Sequence, residues 1–149
     1  MVSGCLMLFT SWLLFNAGSN GSIVQNKSTN IPERTVINTI LSSSSATACV
    51  IILDLFARMK IDLEQSVTFK IDLVTIIDAI LAGCVSITGS CDKVSMHDSL
   101  IIGFIGGLVY KLSVGFLQRL EIDDPIHASS VHGFCGLWGL MAVGFFDND

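Results

Sequence analysis

The sequence predicts an all-α membrane protein of about five transmembrane helices, and three observations carry that prediction. Of 149 residues, 51% are hydrophobic and only 14% charged, where soluble domains usually carry about 25% charged residues. The apolar residues gather into runs at 2–19, 36–57, 73–88, 99–117 and 125–146, with polar stretches between them. The last run holds no fixed charge, and at ~1.5 Å per residue such a helix matches the ~30 Å of a bilayer core. A net charge of -5 argues against nucleic acid as a partner. The five cysteines show no ligand spacing, so neither a disulfide framework nor a metal site is expected. No nucleophile–base pair or phosphate cradle suggests an enzyme, and no cofactor is implied.

The first run, 2–19, has small residues at its end, Ala17, Gly18 and Ser19, that would suit a signal-peptide cleavage site. No Lys or Arg precedes Lys27, so the positive n-region is missing and a membrane span is expected. The polar stretch after it contains two glycosylation patterns, at Asn20 and Asn26. The second run, 36–57, carries Ser42, Ser43, Ser44, Ser45 and Ala46, small residues that predict tight helix packing. Asp54 is placed to reach the interface or to pair with Arg58 four residues on. The third run, 73–88, contains Asp78, and a carboxylate in a membrane must find a partner or a proton. A structural role is expected for it ahead of a proton path. The fourth run, 99–117, is glycine-rich, and Lys111 is close enough to its end for the stem to snorkel.

The fifth run has the sharpest signals. Asp124 can cap a first turn and Pro125 suits a first helical position, so a helix is expected to begin at Pro125. Gly133, Gly136 and Gly139 form a stripe that admits a close neighbour. His132 lies at membrane depth, where an ionisable group is a functional-site expectation by default. His127, five residues earlier, would point away from it on a helix, and a metal site on this helix alone is not expected.

Asp123-Asp124-Pro125, Val131-His132-Gly133-Phe134-Cys135-Gly136-Leu137-Trp138-Gly139 and Gly144-Phe145-Phe146 closely resemble the tenth membrane span of the ammonium transporter/Rhesus glycoprotein family. Phe15-Asn16-Ala17-Gly18-Ser19, with Trp12 three positions before, resembles the end of the sixth. The whole chain thus looks like spans six to ten of an eleven-helix fold, a partial ammonium transporter domain over 1–149. The resemblance implies ammonium or ammonia as substrate, His132 as a pore histidine handling protons, Phe15 as a gate ring, Trp12 as pore-lining and Ser19 at the outer recruitment site. It also implies a homotrimer in the plasma membrane. The chain departs from the family at Asp78, where a small polar or amide residue is usual, and at His127, where aspartate is usual. A non-transporting truncated or regulatory membrane subunit is the alternative, and a Rhesus-type gas channel a third reading. With the loop at 20–34 outside, Arg58, Lys60, Lys70, Lys111 and Arg119 fall inside against Lys27, Arg34 and Lys93 outside, as the positive-inside rule requires.

Overall fold

A computed structural model describes residues 2–19, 31–61 and 72–146. Among them the chain forms α1 (Val2–Ser19), α2 (Ile31–Ile61), α3 (Leu73–Ile87), α4 (Met96–Arg119) and α5 (Cys135–Phe146), the last entered through a π-helical turn, Ser129–Phe134. Asn20 and Asn26, with Lys27 and Lys70, lie outside the described residues.

Two helices run past the expected apolar runs, because hydropathy finds only the part of a helix that must face lipid. At the start of α4, Ser95 accepts a hydrogen bond from the Asp98 amide, while the Asp98 carboxylate accepts from the Ser95 amide. This reciprocal cap starts the helix three residues before the expected boundary. α2 similarly extends through polar residues at both ends. α1, α2, α4 and the segment Ser129–Phe146 are long and apolar enough to cross a membrane. α3, capped by Asp72, has 15 residues and spans roughly 22 Å. The chain is a multi-pass membrane protein.

Many small polar side chains lie inside, and many large apolar ones outside. Thr35, Asn38, Thr39, Ser42, Ser86 and Ser99 are fully buried, while Leu14, Leu112, Leu140 and Phe145 stand outward. Lipid drives this arrangement: burying leucine gains nothing against an equally apolar solvent, so helices associate through close backbone approach and hydrogen bonds. α2 is the central helix, packed against α3, α4 and α1. A Cβ on Gly83 of α3 would lie 2.7 Å from the Ser42 carbonyl oxygen, and one on Gly103 of α4 would run into the same residue's backbone. The small-residue run of α2 is therefore clamped between two glycine faces. Ser42 Oγ adds a hydrogen bond to the Gly83 carbonyl, 2.8 Å.

One end of the bundle is tied by polar contacts. The Arg34 guanidinium donates to the Val94 and Lys93 carbonyls, and Asn38 Nδ2 donates to those of Cys91 and Val94. These bonds hold the turn between α3 and α4 against α2. Burial in that turn pushes the Cys91 thiol up to about 11. Toward the other end, Asp54 of α2 pairs with Lys111 of α4 at 2.5 Å. The sequence left Asp54 to reach the interface or to pair with Arg58; the Arg58 side chain lies outside the described residues, and Lys111 is an observed partner. A lysine two turns inside a span thus meets a carboxylate on the neighbouring helix.

Beyond α4 the path differs from the expected helix at Pro125. Amides of Glu121 and Ile122 bond back to the Gln118 and Leu117 carbonyls, with Glu121 at φ 56°, which ends α4 in a Schellman turn. Pro125 lies in a further turn, and His127 takes φ 50°. The Asp124 carboxylate does cap, but later: it accepts from the Ala128 and Ser129 amides, both at 2.9 Å. A left-handed residue between cap and helix cannot be read from a capping motif, because the motif registers only that an acceptor is nearby.

Candidate functional site

Two side chains far apart in sequence meet on one face of the bundle. The rings of Trp12 in α1 and His132 in the π-helical turn are stacked, with centroids 6.3 Å apart and planes 14° from parallel. His132 is exposed and Trp12 half-buried, so the stack forms a wall with one open side.

Trp12 is held in place by its neighbours. Its Nε1 donates to Thr88 Oγ1 at 2.8 Å, and the Thr88 hydroxyl in turn donates to the Cys84 carbonyl at 2.7 Å. Nothing in the sequence singled out Thr88; its role comes from lying just past the end of α3, where α1 crosses. Without that acceptor the indole N–H would be left unpaired in an apolar groove of about 280 Å3, lined by Trp12, Val85, Gly136 and Leu140. An unmade hydrogen bond of this kind costs about 1–3 kcal/mol. Thr88→Val is expected to free the ring, seen as a red-shifted and broadened Trp12 fluorescence in a variant whose other tryptophan, Trp138, is replaced by Phe.

His132 owes its position to the wide turn. A π-turn adds one residue to an α-helical circuit, rotating the helix beyond it by about 100°, and such turns cluster at functional sites. The turn begins where the Asp124 cap releases the chain and ends at Cys135, whose amide bonds back to the Ser130 and His132 carbonyls. From there α5 packs closely: a Cβ on Gly139 would lie 2.8 Å from the Ser86 carbonyl oxygen, and Trp138 Nε1 donates to the Ile102 carbonyl at 3.0 Å. The expected three-glycine contact stripe is thus reduced chiefly to Gly139. Gly136 has only an ordinary contact, and a Cβ on Gly133 would have nothing within 4 Å, because the extra residue of the π-turn carries Gly133 onto the open face.

Phe15 and Ser19, the other two residues singled out in α1, stand outside the stack. Phe15 is 62% exposed, one turn above Trp12. Ser19 is exposed and its hydroxyl donates to the Phe15 carbonyl at 2.7 Å. Between them Asn16 turns inward, its Nδ2 donating to Thr39 Oγ1 at 3.0 Å. That bond fixes which face of α1 is outward.

Asp78 and His127, the two departures from the family's pattern, are bonded to each other. His127 Nδ1 is 2.7 Å from Asp78 Oδ2, and the Tyr110 hydroxyl donates to the same oxygen at 3.0 Å. Neither was paired with the other in the sequence, since 49 residues separate them. Among the described residues no group of three or more His, Cys, Asp or Glu is arranged to hold a metal ion.

The sequence profile described as Ammonium Transporter Family matches residues 1–149. Ammonium transporter 3 of Dictyostelium discoideum is 33% identical over 147 residues, covering 98% of this chain and 32% of the other. The crystal structure of Mep2 from Saccharomyces cerevisiae superposes with a TM-score of 0.83 at 27% identity, over 99% of this chain and 31% of that one. A structure described as a sensor Amt protein gives a TM-score of 0.83 at 30% identity, over 99% and 33%. The chain therefore spans about a third of the length of the relatives it matches.

Proposed function

Since this chain belongs to the ammonium transporter family, we propose that its Trp12–His132 wall is one side of a path by which ammonium or ammonia crosses the membrane. The observation that supports this reading is the stack itself. An imidazole stands exposed one turn into an apolar span, beside an indole whose only polar atom is already satisfied. Such a surface offers a neutral guest apolar contact along most of its length and one group able to exchange a proton.

Imidazole suits the task because one nitrogen can donate while the other accepts, and the ring can carry an added proton. In this reading ammonium is met near Ser19 and passes the exposed ring of Phe15. It gives up its proton at His132, and ammonia moves along Trp12. The wall is open, so a closed path needs a second wall from residues beyond those described. We propose that these belong to the same intact protein, assembled as a trimer in the plasma membrane.

The second reading, a non-transporting membrane subunit, is favoured by that same open face, which would then seat a partner. Labelled methylammonium uptake by proteoliposomes of the native polypeptide separates the two readings. Uptake that tracks protein and saturates supports transport; none above empty liposomes overturns it. Phe15→Ala should then raise leak of potassium relative to methylammonium by roughly tenfold or more, since removing one ring from a constriction opens it by several ångströms. Unchanged selectivity would remove Phe15 from the gate.

A further inference from the structure

Asp78 has a side chain only 7% exposed, on a helix within the bundle. A lone carboxylate there would carry a large desolvation cost. Its Oδ2 accepts the Tyr110 hydroxyl and lies against His127 Nδ1, so an ionised Asp78 receives two donors, and the His127 ring can cancel its charge. The pair is electrically neutral when it holds one proton beyond the Nδ1–Oδ2 bridge, either as carboxylate with imidazolium or as carboxylic acid with neutral imidazole. Removing that proton leaves one buried negative charge.

The pair is also reachable. His127 is 26% exposed and lines a cavity of about 200 Å3 together with Gln118, Asp123, Asp124 and Ser130. At ~30 Å3 per water this is room for several. Ser130 also borders this cavity; it is fully buried, and its Oγ has no hydrogen-bond partner among the described residues. With Nδ1 held by Asp78, Nε2 is the His127 ring atom that can exchange with this cavity.

We propose that Asp78 and His127 form a proton-exchange site, distinct from His132, which takes a proton from the cavity at Nε2 and returns it there. Uptake forms an N–H bond at Nε2 and makes the ring an imidazolium against the Asp78 carboxylate; release breaks that bond and hands the proton to a cavity water. No oxidant, reductant or metal is involved. The groups facing the pair are Tyr110 of α4, Cys5 of α1, and Asp124, whose oxygens are engaged by the Ala128 and Ser129 amides. Asp123 faces the shared cavity, and Asp54 and Asp72 are within electrostatic reach of Tyr110, Asp54 itself being neutralised by Lys111. No cation beside His127 itself is bonded to Asp78 among the described residues, so His127 is the group that can balance its charge.

The pair also holds the backbone. His127 sits at φ 50°, a conformation that non-glycine residues adopt uncommonly, and its bond to α3 keeps it there. Proton exchange at the ring is thereby linked to the turn that leads to His132.

The test is infrared difference spectroscopy of the intact full-length protein in liposomes, comparing spectra at pH 5 and pH 8 in the absence of ammonium. The expected result is an imidazole band and a carboxyl band that change together. Both disappear in His127→Asn, both change in Asp78→Asn, and both persist in His132→Ala. Tyr110→Phe, which keeps the pair and guards against loss of fold in the other variants, should retain the signal. No pH-linked band assignable to His127 in the wild type or in Tyr110→Phe would overturn the site, as would bands unaffected by Asp78→Asn in a folded protein. Because the measurement needs no transport, a negative result here leaves the ammonium path to stand or fall by uptake alone.

Discussion

In the intact protein, His132→Ala is expected to reduce methylammonium uptake by at least tenfold and to flatten its dependence on pH between 5 and 8, while the protein still folds. Both halves of that expectation come from the same geometry. His132 is exposed, and its one described ring contact is the stack with Trp12, so truncation leaves no cavity in the packed interior. Trp12 keeps its bond to Thr88 and α5 keeps its contact with Ser86 through Gly139. What disappears is the only group in the wall that can take and return a proton. General acid–base participation of a placed side chain is typically worth ~100-fold or more, so tenfold is a conservative floor. His132→Gln separates the two properties of the ring: an amide can donate and accept hydrogen bonds but does not exchange protons near neutral pH. If the glutamine variant transports with the wild-type pH profile, proton handling at this position is wrong and hydrogen bonding alone suffices.

The largest effect on stability is expected at Gly103. Gly103→Val would place a Cβ inside the space held by the Ser42 backbone, and Gly107 one turn later meets Ala46 in the same way. Backbone cannot rotate aside as a side chain can, so α4 would have to move away from α2 along their main contact. Overpacking a close-packed interior costs about 1–3 kcal/mol where side chains can adjust, and more is expected here. The Ser45 hydroxyl's bond to the Leu100 carbonyl would stretch as well. Thermal unfolding in detergent, followed by loss of the monodisperse peak on size exclusion, should drop by ten degrees or more. Gly115→Ala is the control: no atom lies within 4 Å of its added Cβ, and alanine favours a helix over glycine by up to ~1 kcal/mol. Equal behaviour of the two variants would mean that the α2–α4 contact is not the tight one.

Much of this architecture was legible in the chain because the bilayer makes length and polarity nearly sufficient. A segment that must hide its backbone from hydrocarbon has to be helical and apolar over a set distance, so runs such as 99–117 announce themselves. The small residues from Ser42 to Ala46 announced close packing for the same reason. Helix ends were less legible. The polar turns of α2 lie beyond the apolar run, and Asp124 signals a cap without saying which amides it will reach. His127 shows the limit most clearly. Read on a continuous helix from Pro125 it points away from His132 and has no partner; in the folded chain it is left-handed, non-helical and bonded to Asp78.

By itself, then, the sequence determined a membrane bundle of small-residue interfaces, a family membership carried by dense motifs, and a short set of residues worth testing, Trp12, Phe15, Ser19 and His132. These are local or compositional properties, set by how each segment meets lipid and by motifs contiguous in the chain. The tertiary structure alone decided that Trp12 stacks on His132 across 120 residues of chain, that Thr88 holds the indole, that Lys111 answers Asp54, and that Asp78 and His127 complete one another. Each of these joins residues on different helices or turns. Which of them touch depends on crossing geometry and on one extra residue in a turn, quantities that no spacing along a single segment encodes.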